Sequence, residues 1–249
     1  MQKIQGAPLA LAGCLLILAT GVARADLKVV QTTTLTNSQY AAMRDSMTAN
    51  QKAAAHRAGM DLMMGIPQTN TIYISGQHFR FDQSEHHFIA DTRANTITSV
   101  DIATKSYRLA PLTVQSTNFT WVVTSDKKHR NLVGHPASLY SIKGSSVTFP
   151  GEVITGKIWA ADDIPIPTPA STGLPAQFVS ILQQVKKWPL LMDLKVTGAP
   201  SGQIVLSSKT VSVSKAPLPA ATFRVPAGYK PANPNAALSN PLMGMGGGF

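Results

Sequence analysis

The feature that most constrains the fold of this chain is a succession of short β-forming segments separated by turn residues. The segments are rich in Val, Ile, Thr and aromatic residues, which favour extended strands, and Gly, Pro or Asn residues stand between them. About eleven strands at this spacing are typical of an antiparallel barrel or sandwich. The predicted strands cover 26–36, 71–75, 78–82, 87–91, 96–102, 106–109, 119–124, 137–142, 153–160, 190–197, 203–208 and 210–214.

Two segments have helical rather than strand periodicity. The first is predicted as one helix over Asn37–Ala58, capped by Asn37 or Ser38 and ended at Gly59. The second is predicted over Thr172–Lys187 and is strongly amphipathic. Its apolar stripe consists of Leu174, Phe178, Ile181, Leu182 and Val185. Such helices must cover an apolar surface, and the open face of a curved sheet is the simplest one.

The first 25 residues have the pattern of a secretory signal. Lys3 gives a positive start, Leu9–Val22 is apolar but short for a bilayer span, and Ala23-Arg24-Ala25 is a small-x-small cleavage site. We therefore expect cleavage after Ala25 and export to the periplasm. The alternative is a lipoprotein, because Leu11–Cys14 resembles a lipoprotein signal box.

The cysteine count supports the same compartment. Cys14 is the only cysteine, so a disulfide framework and a cysteine-based zinc site are both excluded. After cleavage at Ala25 the mature chain has no thiol to oxidise, which suits an oxidising envelope.

The composition favours strands and leaves a basic surplus to be explained. Hydrophobic residues make up 44% of the chain, enough for a core, and the only two glutamates are Glu85 and Glu152. The formal charge is +10. For an exported protein we exclude nucleic acid as the partner and expect an anionic envelope surface to be available. The alternative is that the charge only keeps the protein soluble.

Five stretches, in order along the chain, resemble a family of exported bacterial proteins of unknown function related to the periplasmic lipoprotein carriers, which have the LolA/LolB-like fold. They are TIYISGQHFRFD at 71–82, ITSVDIATKSYRL at 97–109, NLVGHPASLY at 131–140, GKIWAADDIP at 156–165 and FRVPAGYK at 223–230. The resemblance spans roughly residues 27 to 230. The chain departs from it in a helical insert at 37–66 and in a Gly- and Met-rich end.

The resemblance implies a mostly β (α+β) fold, a curved antiparallel half-barrel with helices over its concave face. It implies one domain over 26–229, which follows the signal peptide 1–25 and includes the helical insert 37–66. Residues 230–249 are predicted to be a flexible Pro-, Gly- and Met-rich tail. In the carriers the concave cavity holds the acyl chains of a lipoprotein.

The polar clusters of the sequence carry weak catalytic or metal signals. Glu85-His86-His87 is predicted to be a solvated hairpin tip, since adjacent strand residues point to opposite faces and cannot easily share one metal ion. Ser125–Lys128 fits the S-x-x-K pattern of some acyl enzymes, but the companion motifs of those enzymes are missing from this chain. We therefore predict that the segment is a basic surface loop. Asp162-Asp163 is explained by a turn before Ile164.

We therefore predict no enzymatic activity, no cofactor and no metal site. An acyl-processing hydrolase would need a Ser or Asp within hydrogen-bond reach of a histidine. The histidines to consider are His56, His78, His86, His87, His129 and His135.

The leading hypothesis is a periplasmic protein that binds an acyl chain, lipid or lipidated peptide in an apolar cavity between sheet and helices. The alternative is an envelope protein-interaction module with a filled core and no ligand. Met60, Met63 and Met64 suit either a variable apolar ligand or ordinary core packing. The predicted cavity residues are Ile72, Ile74, Phe79, Phe81, Trp121, Ile158, Phe178, Leu182, Met192, Leu194, Ile204 and Leu206.

Overall fold

The computed structural model describes residues 26–57, 60–112, 119–166, 176–198 and 202–232, and within these ranges the strands form one large, open, curved sheet. Its 12 strands follow the order β12-β6-β5-β4-β3-β2-β1-β11-β10-β9-β8-β7. The strands are β1 (Leu27–Asn37), β2 (Gln68–Ser75), β3 (His78–Gln83), β4 (His86–Asp91), β5 (Thr96–Asp101), β6 (Ser106–Pro111), β7 (Phe119–Leu132), β8 (His135–Ser146), β9 (Val153–Pro165), β10 (Lys187–Thr197), β11 (Ile204–Lys215) and β12 (Lys230–Pro231). The predicted mostly β class is confirmed.

The first strand of the chain lies in the middle of the sheet. β1 pairs antiparallel with β2 on one side and with β11 on the other. We call β2–β6 with β12 the first wing and β7–β11 the second wing. Each wing is mostly an antiparallel meander, so most pairings are between neighbours in sequence.

The predicted helix over Asn37–Ala58 is two helices, α1 (Ser38–Ser46) and α2 (Ala49–Arg57). The Asn37 side chain caps α1, because its Oδ1 accepts hydrogen bonds from the backbone N–H groups of Gln39 and Tyr40. A reciprocal pair then starts α2: the N–H of Gln51 donates to Thr48 Oγ1, and the N–H of Thr48 donates to Gln51 Oε1. This capping box is a helix start signal, which explains the break.

The second predicted helix is observed as α3 (Ala176–Val185), with Pro165 and Ile166 before it. The predicted first turn at 172–175 and the side chain of Phe178 lie outside the described part of the chain. Ile181, Leu182 and Val185 are buried on one side of α3. That α3 covers a concave face stays a prediction, whereas its contact with the sheet is observed.

Residues 216–232, which we call the C-terminal strap, cross the face of the first wing that carries His78 and Arg80. Arg80 Nη1 donates to the carbonyl oxygen of Thr222 at 3.0 Å, and the rings of His78 and Phe223 lie 5.7 Å apart. The strap ends as β12, which pairs parallel with β6. The predicted tail boundary at 230 therefore falls within a strand, and the rest of that tail, 233–249, lies outside the described residues.

The predicted leader 1–25, with Cys14 and the cleavage site after Ala25, also lies outside the described residues. In the part of the chain that the structure describes, no helix reaches the length and hydrophobicity that a bilayer span needs.

Candidate functional site

The strand-borne residues predicted to line the cavity lie on one face of the sheet. The strand register pairs Ile72 with Phe81 and Ile74 with Phe79 in the first wing. In the second wing it pairs Met192 with Ile158 and Leu194 with Leu206, and register partners point to the same face. We call this face the inner face. Trp121 lies on it too, since its ring covers Gly144, where a Cβ would overlap the indole.

The structure divides these residues between two apolar clusters. Ile72, Ile74, Phe79 and Phe81 belong to the first cluster, together with Val29, Phe88, Trp188 and Leu190. Ile158, Met192, Leu194, Ile204 and Leu206 belong to the second cluster, with Trp121 packed at its margin. Leu182 is buried on α3, beside the second cluster. The single predicted set is thus brought together on one face but not into one group.

A row of polar side chains separates the two clusters. Register partners on five neighbouring strands carry Thr210, Gln31, Asn70, Gln83 and His86 in line across the inner face. A shorter parallel row consists of Ser208, Thr33 and Gln68. We call these eight residues the polar band.

The polar band is a buried feature of the sheet. Thr210, Gln68, Asn70 and Gln83 are each less than a tenth exposed. Gln31 Nε2 donates to the carbonyl oxygen of Pro189, and Thr210 Oγ1 donates to the same oxygen at 3.1 Å. The band is not among the predicted site residues, although its polar residues recur at the same alternation as the apolar residues of β1, β2 and β3.

The turn after α2 covers one end of the polar band. Asp61 lies in this turn and is 4% exposed. Its Oδ2 lies 2.5 Å from His56 Nδ1 and accepts a hydrogen bond from Gln68 Nε2 at 3.2 Å. Gln68 Oε1 in turn accepts from Gln83 Nε2 at 2.6 Å. A connected chain of polar groups therefore runs from the insert into the sheet.

The second cluster is covered by α3. Ile181 and Val185 of α3 are buried among side chains such as Ile142 and Ile158. Aromatic and partly buried residues lie around the margin, among them Phe119 and Trp121, whose rings stack with centroids 5.4 Å apart. Tyr40, Leu62, Val123, Tyr140 and Val196 complete that margin.

The prediction of a solvated tip at His86 and His87 is wrong for His87. Its side chain is only 15% exposed, and its Nδ1 lies 2.7 Å from Asp82 Oδ1. Asp82 also accepts two hydrogen bonds from Arg80. Burial alone raises the pKa of Asp82, but the hydrogen bonds from His87 and Arg80 outweigh it, so the net pKa lies below the ordinary value. Register places His86 on the inner face and His87 on the opposite one, as strand alternation requires.

Asp162-Asp163 and Ser125–Lys128, predicted as a turn and a loop, both lie within strands. Asp162 in β9 pairs with Lys187, and Asp163 pairs with His135 and Lys215. Burial acts to raise the pKa of Asp162, yet Lys187 and the hydroxyl of Ser138 hold it below its usual value. Among the described residues, no group of three or more His, Cys, Asp or Glu side chains is arranged to hold a metal ion.

Several histidines do lie near a Ser or Asp, so distance alone does not remove the hydrolase hypothesis. The arrangement nearest to a nucleophile has Ser138 Oγ 3.1 Å from His129 Nδ1 and 2.7 Å from Asp162 Oδ1. Asp162 is ionised above its lowered pKa and can only accept, so the Ser138 proton is donated to it. His129 then must donate to Ser138 rather than remove its proton. This geometry does not activate the Ser138 hydroxyl as a nucleophile.

The outer face of the second wing is basic. Lys143, Lys157 and Lys195 are exposed and point away from Ile142, Ile158 and Leu194, their sequence neighbours on the inner face. Lys209 on β11 is exposed as well. Asp193 lies among these lysines and accepts a hydrogen bond from Ser207 at 2.7 Å. The surface is therefore strongly but not purely cationic.

Comparison with known proteins gives only distant likenesses. No protein-family model matches the chain, and no curated protein matches it in sequence. A solved structure of PNGF-II is 8% identical with a TM-score of 0.42, covering 84% of this chain but only 31% of that one. The LolA superfamily protein NE2245 from Nitrosomonas europaea is 6% identical with a TM-score of 0.33, covering 80% of this chain and 90% of that one. The chain thus spans about a third of the PNGF-II chain, and likenesses this weak support no conclusion about its activity.

Proposed function

We propose that this protein is a non-enzymatic periplasmic protein that binds an acyl chain, lipid or lipidated peptide beneath α3, in the second cluster. The observation that carries the proposal is the way this cluster is covered. One short helix inserts Ile181 and Val185 into an apolar surface that belongs to the strands. An acyl chain offers the same kind of surface as these two side chains, so it can replace them when α3 moves aside.

The free energies of this exchange are of similar size on the two sides. Exposing Ile181, Leu182 and Val185 costs about 1.5–3 kcal/mol for each side chain, or about 5–9 kcal/mol together. Burying ~500 Å² of acyl chain at roughly 25 cal/mol per Å² contributes about 12 kcal/mol before ordering costs. The difference of a few kcal/mol is of the same order as the ordering costs of binding, so the exchange would be weak and reversible.

The basic outer face of the second wing gives such a protein a way to approach an anionic envelope surface. A lysine close to anionic lipid contributes about 1 kcal/mol. Lys143, Lys157 and Lys195 lie on adjacent strands of this face. The face would hold the second wing at the surface that supplies the lipid, with α3 on the opposite side of the sheet.

The test uses a matched pair of buried alanines. Ala160 is in the second cluster and Ala90 in the first, so Ala160→Leu fills the proposed site and Ala90→Leu fills the other core. We expect the wild-type protein to bind a fluorescent fatty acid, Ala160→Leu to lose at least tenfold in affinity, and Ala90→Leu to keep wild-type affinity. Overpacking destabilises by about 1–3 kcal/mol at either position, so circular dichroism must show both variants folded.

Two results would refute the proposal. One is wild-type protein that takes up no fatty acid and carries no lipid by mass spectrometry after purification from a native envelope. The other is an equal loss of affinity in both leucine variants, which would place the ligand elsewhere.

A second candidate function is an envelope protein-interaction module. It is favoured by apolar side chains exposed near the β7 edge, Val122 at 58%, Val147 at 71% and Phe149 at 41%. Val122→Ser/Phe149→Ser would then abolish capture of an envelope protein while fatty-acid binding stayed unchanged. A loss of fatty-acid binding instead would assign these side chains to the acyl-chain site.

A further inference from the structure

Three atoms of the buried polar region have no hydrogen-bond partner among the residues that the structure describes. They are Asp61 Oδ1, Asn70 Oδ1 and His86 Nε2. Asp61 is 4% and Asn70 is 6% exposed. Buried polar groups are almost always paired in folded proteins, so three such atoms in one region need an explanation.

These atoms are arranged around a fixed pair of amides. Asn70 and His86 flank Gln83 on the two neighbouring strands, in register with it. Gln83 donates to Gln68 at 2.6 Å, and Gln68 donates to Asp61 at 3.2 Å. One N–H of each glutamine amide is therefore used within the protein, while Asp61 Oδ1 and Asn70 Oδ1 have no donor among the described residues.

The fold does not need polar residues at these positions. In the next row of the same strands, Val29, Ile72, Phe81 and Phe88 are apolar and buried. Beyond the band on the other side, Leu35 pairs with Leu206. Gln31 and Thr210 have a packing role, because both donate to the Pro189 carbonyl oxygen. The side-chain oxygen of Asn70, by contrast, has no partner among the described residues, and that points to binding rather than packing.

The unpaired atoms define the ligand chemistry. The Asp61 and Asn70 oxygens accept hydrogen bonds only, which excludes an anion, and an imidazole nitrogen can donate or accept. A metal ion is not indicated either, because no group of three or more His, Cys, Asp or Glu side chains is arranged to hold one in the described part of the chain. Hydroxyl groups both donate and accept, so several hydroxyls on one molecule match the whole set.

The row of the polar band that contains Asn70 has a more exposed end in the first wing. The row that contains Asn70, Gln83 and His86 continues through Asp101 and Ser106 on β5 and β6. These two residues are partly exposed, whereas Asn70 and Gln83 are buried. The row thus becomes more accessible towards the β6 side of the sheet.

We propose that the polar band and Asp61 bind a neutral polyhydroxylated group, such as the hydroxyls of a sugar or of glycerol. This site lies beside the acyl-chain site proposed above and does not depend on it. The same hydroxyl chemistry is found in free saccharides and in the head groups of glycolipids, which the experiment distinguishes.

The test replaces Asn70 by a side chain of similar size without polar atoms. Glucose, maltose and glycerol are titrated into ¹⁵N-labelled protein, and the head-group arm uses vesicles of phosphatidylcholine with 20% diglucosyl diacylglycerol. We expect one of these probes to shift the amide resonances of Asn70, Gln83 and His86, and Asn70→Leu to weaken that binding at least tenfold. Asn131→Leu, on the exposed part of β7, is the matched control and should bind as the wild type does.

The stability of Asn70→Leu separates binding from a structural role. A residue kept for a ligand leaves an unpaired acceptor in the free protein, so Asn70→Leu is expected to unfold at the same or a higher temperature. The proposal is overturned if no probe shifts these resonances, or if Asn70→Leu lowers the unfolding temperature and binds the probes unchanged. Fatty-acid uptake measured on the same variant should stay at the wild-type level, so failure here is distinct from failure of the acyl-chain site.

Discussion

The two apolar clusters are built from similar side chains but are closed in different ways. In the first cluster, Phe81 and Ile72 pack against Trp188 and Leu190, and all four are borne by strands. In the second cluster, strand residues such as Ile158 face Ile181 of helix α3. A strand cannot leave the sheet without breaking its hydrogen bonds, whereas a helix keeps its own. Among the described residues, α3 over the second cluster is therefore a cover that can move while the sheet stays intact.

This contrast predicts a difference in how the clusters tolerate a cavity. Phe81→Ala should destabilise the protein by about 3–5 kcal/mol, because the surrounding strands cannot collapse onto the space. Ile181→Ala should cost about 2 kcal/mol, at the low end for such changes, since α3 can settle closer to the sheet. Urea denaturation of both variants measures the difference. Equal losses would mean that α3 is held as rigidly as a strand.

Features of the fold that depend on neighbouring residues could be predicted from the sequence, whereas those that depend on strand register could not. Strand and helix positions depend on local alternation and periodicity, and most predicted segments lie within observed strands. The Thr48–Gln51 capping box is also a local signal, so the break between α1 and α2 could have been predicted from the sequence. The polar band was harder to find. Gln31, Asn70 and Gln83 are far apart in sequence and meet only through strand register, which local patterns do not determine.

Two carboxyl groups, partly buried Asp82 in the first wing and buried Glu152 in the second, have opposite responses to pH. Asp82 in the first wing has a lowered pKa, whereas Glu152, before β9 in the second wing, has a raised one. A carboxyl whose folded pKa is lowered stabilises the fold above its unfolded pKa, about 3.9 for Asp. That contribution is lost as the pH falls through the folded pKa.

We therefore expect Asp82→Asn to lower the free energy of unfolding by about 2 kcal/mol at pH 7, since hydrogen bonds to charged groups contribute about 1.5–3 kcal/mol. The deficit should begin to shrink below about pH 4, where Asp82 of the unfolded chain takes up a proton, and should vanish as the pH falls through the lower folded pKa. Thermal unfolding from pH 2 to pH 8 measures this. Asp45→Asn, which removes an exposed pair with Arg44 on α1, is the control and should leave the unfolding temperature unchanged. A deficit that stays constant down to pH 2 would show that the charge of Asp82 does not matter.

The smallest expected effect is at Glu152, where a substitution should raise the free energy of unfolding rather than lower it. This residue is 2% exposed, and burial raises the pKa of its carboxyl despite a hydrogen bond with Ser146. A raised folded pKa means that the protonated form is favoured in the fold, so its stabilising effect is present below about pH 4.3. It is lost as the pH rises through the folded pKa, when a buried charge must be accommodated. At neutral pH, the ionised carboxylate of Glu152 therefore destabilises the second wing.

Glu152→Gln removes that charge while keeping the size of the side chain. It should raise the free energy of unfolding by about 1 kcal/mol at pH 7, which corresponds to about 2–4 °C in Tm for a chain of this size. Below about pH 4.3 the variant and the wild type should converge. Glu85→Gln, in the exposed turn after β3, is a natural control, because the chain has only these two glutamates, and its Tm should match the wild type at every pH. If Glu152→Gln instead lowers Tm at pH 7, the ionised carboxylate stabilises the turn between β8 and β9, and the second wing has no buried carboxyl that destabilises it at neutral pH.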